Sequence, residues 1–117
     1  MNFAFEGTHY IANFKRIRFF IHSGDSKFSI TNLIAKTLQE CGATIIDCKE
    51  HIFPNGGMTA IFLLSESHCT IHTYPEHGSF FIDAFTCGGN FDSMRFHQIL
   101  CDVFEPAEVT YDILLRN

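Results

Sequence analysis

The chain has no tryptophan, only three prolines, and no apolar run long enough to cross a bilayer. Its first residues, MNFAFEGTHY, carry no basic segment leading into an apolar stretch, so no secretory signal is expected. There is no low-complexity stretch, Pro/Ser linker or polar tail in the 117 residues, and one domain over 1–117 is the expected organisation. Eight Lys and Arg against 13 Asp and Glu leave a net charge of −5 with His neutral. Nucleic-acid binding needs a basic face, and the one basic cluster, Lys15, Arg16 and Arg18, reads as solvated charge. The five cysteines are odd in number and form no C-x-x-C pair. A reduced cytoplasmic setting is therefore expected rather than a disulfide framework.

With 46% hydrophobic and 18% charged residues, the chain can bury a core and is not disordered. Fourteen Phe against three Tyr make that core bulky and poor in hydrogen-bonding tips. Six strands and two helices are predicted. The first strand is Thr8–Phe14, with Ile17–Ile21 as a continuation. Ser23-Gly24-Asp25-Ser26 supplies a turn and helix-capping oxygens. Ile30, Leu33, Ile34, Leu38 and Cys41 form one apolar stripe, and Gly42 sits at the helix end. Strands at Ala43–Phe53, Met58–Leu64, Ser67–Tyr74 and Ser79–Thr86 are separated by Pro54-Asn55-Gly56-Gly57 and by the hairpin-sized Pro75-Glu76-His77-Gly78. Gly88-Gly89-Asn90 leads to a helix striped by Phe96, Ile99, Leu100, Val103 and Phe104, stopped by Pro106. A last strand places Val109, Tyr111, Ile113 and Leu115 on one face.

Most neighbouring strands have no helix between them, so the sheet is expected to be mainly antiparallel. The fold class is then α+β, a two-layer α/β sandwich with both helices on one face. The other face, with so much Phe, would stay partly apolar unless a second subunit covered it, so a homodimer is expected.

Polar groups concentrate in Ser65-Glu66-Ser67-His68-Cys69-Thr70-Ile71-His72-Thr73-Tyr74-Pro75-Glu76, between two greasy strands, with Cys87 after the next one. Three readings compete. The His and Ser can be ordinary polar positions on an exposed strand face. His68, Thr70 and His72 share a strand face, but zinc usually takes three or four ligands, so no metal is assigned. Ser67 or Cys87 can be a nucleophile, with His72 or His68 as base. Spacing alone leaves these open.

The run Ser-Glu-Ser-His-x-x-Ile-His-Thr-Tyr-Pro-Glu, followed by Phe-x-x-Asp-x-Phe-Thr-Cys-Gly, resembles the prokaryotic S-adenosylmethionine decarboxylase proenzymes. The match is ungapped over residues 65–88. Gly7-x-His9, Gly42-Ala43-Thr44 and Phe53-Pro54-x-Gly56 extend it in the same order. The resemblance implies the two-layer sandwich already inferred. It also implies a precursor that cuts itself between Glu66 and Ser67 into a β chain, 1–66, and an α chain, 67–117. The Ser67 hydroxyl would attack the Glu66 carbonyl, and elimination and hydrolysis would turn Ser67 into a covalent pyruvoyl group. His72 matches the processing base and Thr59 stands where the family often has a Ser that supports processing. Substrate amine would condense with the pyruvoyl ketone as a Schiff base and lose carbon dioxide, and Cys87 matches the proton donor. Phe53 matches an aromatic stacked on adenine and Glu76 a substrate-holding carboxylate. His68 reads as a site wall or structural residue, and Cys41, Cys48 and Cys101 as core.

The implied function is decarboxylation of S-adenosylmethionine, supplying the aminopropyl donor for spermidine synthesis, by a homodimer of αβ units. Some departures fall away from the self-cleavage set. Gly7-Thr8-His9 replaces the usual Gly-Arg-His, Asn13 stands near an acidic position, Lys15–Phe20 replaces a Gly-Cys region, and Cys69 replaces an aliphatic residue. A basic amino acid, arginine or ornithine, is the alternative substrate, and a non-cleaving regulatory or binding paralogue the alternative of another class.

Overall fold

The computed structural model describes residues 5–18 and 29–117. Six strands, β1 (Gly7–Lys15), β2 (Ile45–Ile52), β3 (Met58–Leu64), β4 (Ser67–Tyr74), β5 (Ser79–Cys87) and β6 (Glu108–Arg116), join two helices, α1 (Ile30–Glu40) and α2 (Ser93–Phe104). The sheet order is β2-β3-β4-β5-β1-β6, and every pairing is antiparallel. This is the expected two-layer arrangement, with strand limits within a residue or two of those read from the sequence except at β1.

β1 ends at Lys15 rather than running on through Ile17–Ile21. Arg16 takes a left-handed backbone (φ 50°) that breaks the extended chain. Ile17 N–H then bonds the Gly78 carbonyl at 2.9 Å, while residues 19–21 lie outside the described part. The Ser23–Ser26 turn also lies outside it. The cap of α1 is Ser29, whose hydroxyl accepts the Asn32 N–H. Asp92 caps α2 by accepting from Arg95 N–H. Gly42, just past α1, has φ 107°, and a Cβ there would sit 2.1 Å from the Asn90 carbonyl oxygen. Only glycine lets the end of α1 meet the loop before α2.

Strand alternation sorts the sheet residues. Toward the helices point Tyr10, Ala12 and Phe14 of β1, Met58, Ala60, Phe62 and Leu64 of β3, Cys69 and Ile71 of β4, and Phe80, Ile82 and Ala84 of β5, all buried. Ile34 and Leu38 of α1 and Phe96, Leu100 and Phe104 of α2 close over them. Phe14 stacks on Phe80 with centroids 4.7 Å apart, and Phe80 meets Phe104 edge-on at 4.9 Å. Alanines beside these rings let large and small side chains interlock. Cys69 is fully buried here, so it fills the aliphatic role its position implies. Cys41 is buried too, but Cys48 is exposed because β2 is an edge strand, and Cys101 is half-buried.

No helix covers the opposite face, where Ile11, Ile61, Leu63, Phe81 and Leu114 are all more than a third exposed. The expected partly apolar face is therefore present, interleaved with His9, Thr70 and Asp83. Asp83 accepts from His9 at 2.9 Å and from the Thr70 hydroxyl, and His68 lies 4.0 Å away. Among the described residues no helix is long and apolar enough to cross a membrane.

One polar network is buried under α2. The Tyr10 hydroxyl pairs with His97 Nδ1 at 2.7 Å, and His97 stacks on Tyr111 at 3.8 Å. Burial lowers the His97 pKa below its ordinary value. On acidification the unfolded chain protonates this residue before the folded one does, so the stability present at neutral pH drains away as pH falls below about 6.5. The urea midpoint is expected to drop between about pH 7.5 and about pH 5.5, with a shallower drop in His97→Gln. Equal slopes in the two proteins would show that His97 is not the cause.

Candidate active site

β3 and β4 are joined by the two-residue turn Ser65-Glu66, so the Glu66–Ser67 bond sits at a hairpin tip. Two-residue turns prefer residues that tolerate positive φ, and this one contains no glycine. Ser67 carries the cost, with φ 156°, a value L-residues rarely adopt. The tip is fastened on both sides. Ser65 N–H bonds the Thr44 carbonyl at 3.0 Å, and the Glu66 carboxylate accepts from Thr44 N–H (3.0 Å) and from the Ser65 hydroxyl (2.8 Å). On the far side the Cys87 N–H donates to the Glu66 backbone carbonyl at 2.9 Å.

That last bond follows from register. The Pro75–Gly78 connection pairs Tyr74 with Ser79, and counting back along β4 and β5 sets Ser67 against Thr86. The next residue, Cys87, then reaches the turn. Its thiol lies 3.6 Å from the Ser67 hydroxyl. A nucleophile, a carbonyl one residue back and an N–H on that carbonyl's oxygen thus share one point. A cleft of ≈ 550 Å³ opens at Cys87, bounded by Phe5, Glu6, Gly7, Phe85 and Arg116.

The remaining sequence-derived residues gather at the other end of the hairpin. Thr59 and His72 are cross-strand partners, and Thr59 Oγ1 lies 2.6 Å from His72 Nδ1. The Phe53 ring is 5.7 Å from His72, and Tyr74 packs on the same imidazole at 4.6 Å. Phe53, His72, Tyr74 and Glu76 line a second cleft of ≈ 440 Å³. The structure therefore brings together Glu66, Ser67 and Cys87 as one group, and Phe53, Thr59, His72 and Glu76 as another. Within one chain it does not join the groups: five residues of extended β4 separate Ser67 from His72, about 16 Å at ~3.3 Å per residue.

His68 stands on the open face, 4.0 Å from Asp83 and 5.8 Å from the ring of Phe85, which bounds the Cys87 cleft. A larger cleft of ≈ 630 Å³ lies beside Lys15, Arg16, Tyr74 and His77, where the Ser79 hydroxyl is taken up by the His77 carbonyl and Arg16 N–H. Chemistry, not size, picks the site. Sequence reading missed the Cys87 N–H, since a backbone donor leaves no residue-type signal, although the short turn after Tyr74 fixes the register that creates it. It also missed Glu6 and Arg116, which reach the Cys87 cleft only because β1 and β6 pair.

Burial would raise the Glu66 side-chain pKa, but the hydrogen bonds from Thr44 and Ser65 outweigh it and hold the carboxyl below its usual value. In an uncut Ser67→Ala chain, carbon NMR should show Glu66 titrating below the ~4.3 of a free Glu, with Ser65→Ala moving the midpoint up. A midpoint at or above that reference, unmoved by Ser65→Ala, would mean the turn is not fastened this way.

The sequence profile of the family described as S-adenosylmethionine decarboxylase matches residues 8–117. An S-adenosylmethionine decarboxylase proenzyme of Brevibacillus brevis is 36% identical over 93 residues, 80% of this chain and 69% of that protein. One from Persephonella marina is 30% identical over 111 residues, covering 95% of this chain and 82% of that one. The crystal structure of the adenosylmethionine decarboxylase from Aquifex aeolicus superposes with a TM-score of 0.80 at 26% identity, covering 95% of this chain and 90% of the other. Motif, sheet order and the profile match over nearly the whole length agree, and the chain belongs to the S-adenosylmethionine decarboxylase family.

Proposed function

We propose that this chain is a proenzyme that cuts itself between Glu66 and Ser67 and then decarboxylates S-adenosylmethionine, its product serving as the aminopropyl donor for spermidine synthesis. The carrying observation is the Cys87 N–H on the Glu66 carbonyl oxygen, with the Ser67 hydroxyl at the Cys87 thiol. Attack by Ser67 Oγ on the Glu66 carbon forms a C–O bond and breaks the C–N bond, freeing the Ser67 amine. Negative charge gathers on the carbonyl oxygen, where a fixed N–H already points. Loss of the Ser67 α-proton then expels the Glu66 carboxylate, and water replaces the nitrogen, releasing ammonia and leaving a pyruvoyl group at residue 67.

The residues present fit that group: a hydroxyl with a removable α-proton, at a hairpin tip, with a thiol alongside. That group would supply an electron sink for a substrate amine, the part pyridoxal phosphate plays elsewhere. Cys87, its thiol 3.6 Å from the Ser67 hydroxyl, would return a proton to the substrate carbon. An imidazole hydrogen-bonded to Thr59 suits the proton transfers of processing. A sulfonium cation suits aromatic faces such as Phe53, and a chain of charge −5 suits a cationic substrate.

The ~16 Å between Ser67 and His72 supports a homodimer. Two copies laid face to face across the open sheet, related by a two-fold axis that reverses the strands, would set Phe53, Thr59, His72 and Glu76 of one copy against Ser67 and Cys87 of the other. The same contact would cover Ile11, Ile61, Leu63 and Phe81.

Intact mass after expression should show two fragments split after Glu66, and Ser67→Ala should stay whole. Purified protein should release carbon dioxide from S-adenosylmethionine; release from arginine or ornithine alone would reassign the substrate, and a single uncut chain would end the enzyme reading. The shared site has its own check. His72→Ala alone should cleave slower by on the order of 100-fold. Co-expressed with Ser67→Ala, the His72→Ala chain should regain cleavage, because the Ser67→Ala partner lends its His72 to the intact Ser67. No rescue in a co-purifying pair would place the base within one chain.

A further inference from the structure

Cys87, Gly7 and Arg116 are direct neighbours across β5, β1 and β6, so all three face the open side of the sheet. Gly7 has no side chain, and the space above it is occupied by the Phe85 ring: a Cβ on Gly7 would lie 2.5 Å from that ring. Cys87 and Arg116 therefore form opposite walls of one cleft, about 10 Å apart at the backbone, with an aromatic floor between them. The guanidinium carbon of Arg116 rests 5.1 Å from the Phe85 ring centroid. None of the ion pairs among the described residues involves Arg116. A guanidinium held near an aromatic ring by cation–π attraction, and in no ion pair, still has N–H donors to offer a planar anion.

The geometry points to Arg116 as the group that binds the substrate's α-carboxylate, an assignment that rests on the decarboxylase reading above. The carbon that Cys87 would protonate is the one that carries the carboxylate, so the departing group begins within this cleft. Among the described residues Arg116 is the one cation lining it. A guanidinium–carboxylate contact is charge-assisted and bidentate, and it fixes which bond stands at the reactive centre. It stabilises the bound substrate and is lost as carbon dioxide forms, so its effect belongs to affinity rather than to the chemical step. S-adenosylmethionine, arginine and ornithine all carry this carboxylate; the corresponding amine products do not.

Arg116→Gln and Arg116→Lys in the full chain test the assignment, with completion of self-cleavage as the check that the fold and the group at residue 67 are intact. For Arg116→Gln, KM is expected to rise on the order of 10- to 100-fold, with kcat unchanged or higher. Calorimetry with the decarboxylated amine should give the wild-type Kd, and Arg116→Lys should recover part of the loss in KM. A KM at the wild-type value overturns the assignment, and so does an amine Kd that weakens in step with KM, which would make Arg116 a general wall of the cleft. If the wild-type protein releases carbon dioxide from arginine instead, arginine and its amine replace the pair and the same outcomes decide. Loss of wild-type cleavage or of all carbon dioxide release would instead count against the parent reading.

Discussion

The N–H of Cys87 on the carbonyl of Glu66 is the contact on which the site turns. It is one rung beyond the regular β4–β5 ladder, and it ties three things together: the hairpin tip, the residue whose hydroxyl faces that tip, and the thiol beside it. A slip of one residue in that ladder would turn the side chains of β5 to the opposite face and put a different amide on the carbonyl. The aromatic packing under α2, with Phe80 against both Phe14 and Phe104, resists such a slip. A core built on Phe thus serves the site by holding register.

The two faces of the sheet do different work. The helix-covered face is closed and apolar apart from hydrogen-bonded groups such as Tyr10 and His97, and no buried side-chain nitrogen or oxygen among the described residues lacks a partner. The uncovered face carries Thr59, His72 and Cys87, the Asp83 network and the exposed Ile, Leu and Phe. Function requires this inequality, because a face that takes a cationic substrate cannot also be sealed by its own helices. The proposed second copy reconciles the two demands.

Most of the fold was legible because its signals were local. Met58–Leu64, an almost continuous apolar run, and the β-rich Ser67–Tyr74 are bounded by turn residues, and both strands form as read. The first strand was over-extended because Ile17 looks apolar and β-branched, while the left-handed turn at Arg16 has no residue-type marker. Cys48 read as core for the same kind of reason: being apolar does not say that a strand lies at an edge. At the site, Ser67, Cys87, Thr59 and His72 could be named from the motif. Their division between two ends of a hairpin could not, since a motif records order along the chain and not distance. Arg116 was invisible because its place depends on β6 pairing with β1, two elements about a hundred residues apart.

The position of the Glu66–Ser67 bond has a structural consequence. A hairpin tip is the one place where a strand pair can be nicked without losing a rung: Leu64 and Ser67 are already partners, and the ladder from Thr59 to Leu64 remains on either side of the break. The two fragments would stay interleaved, since β4 lies between β3 of the first piece and β5 of its own, and β1 of the first piece between β5 and β6 of the second. Neither piece contains a sheet it could complete alone. Scission here would leave the architecture intact and create a fresh chain end at the mouth of a cleft, where a side chain fixed mid-strand becomes a terminal group able to meet a ligand.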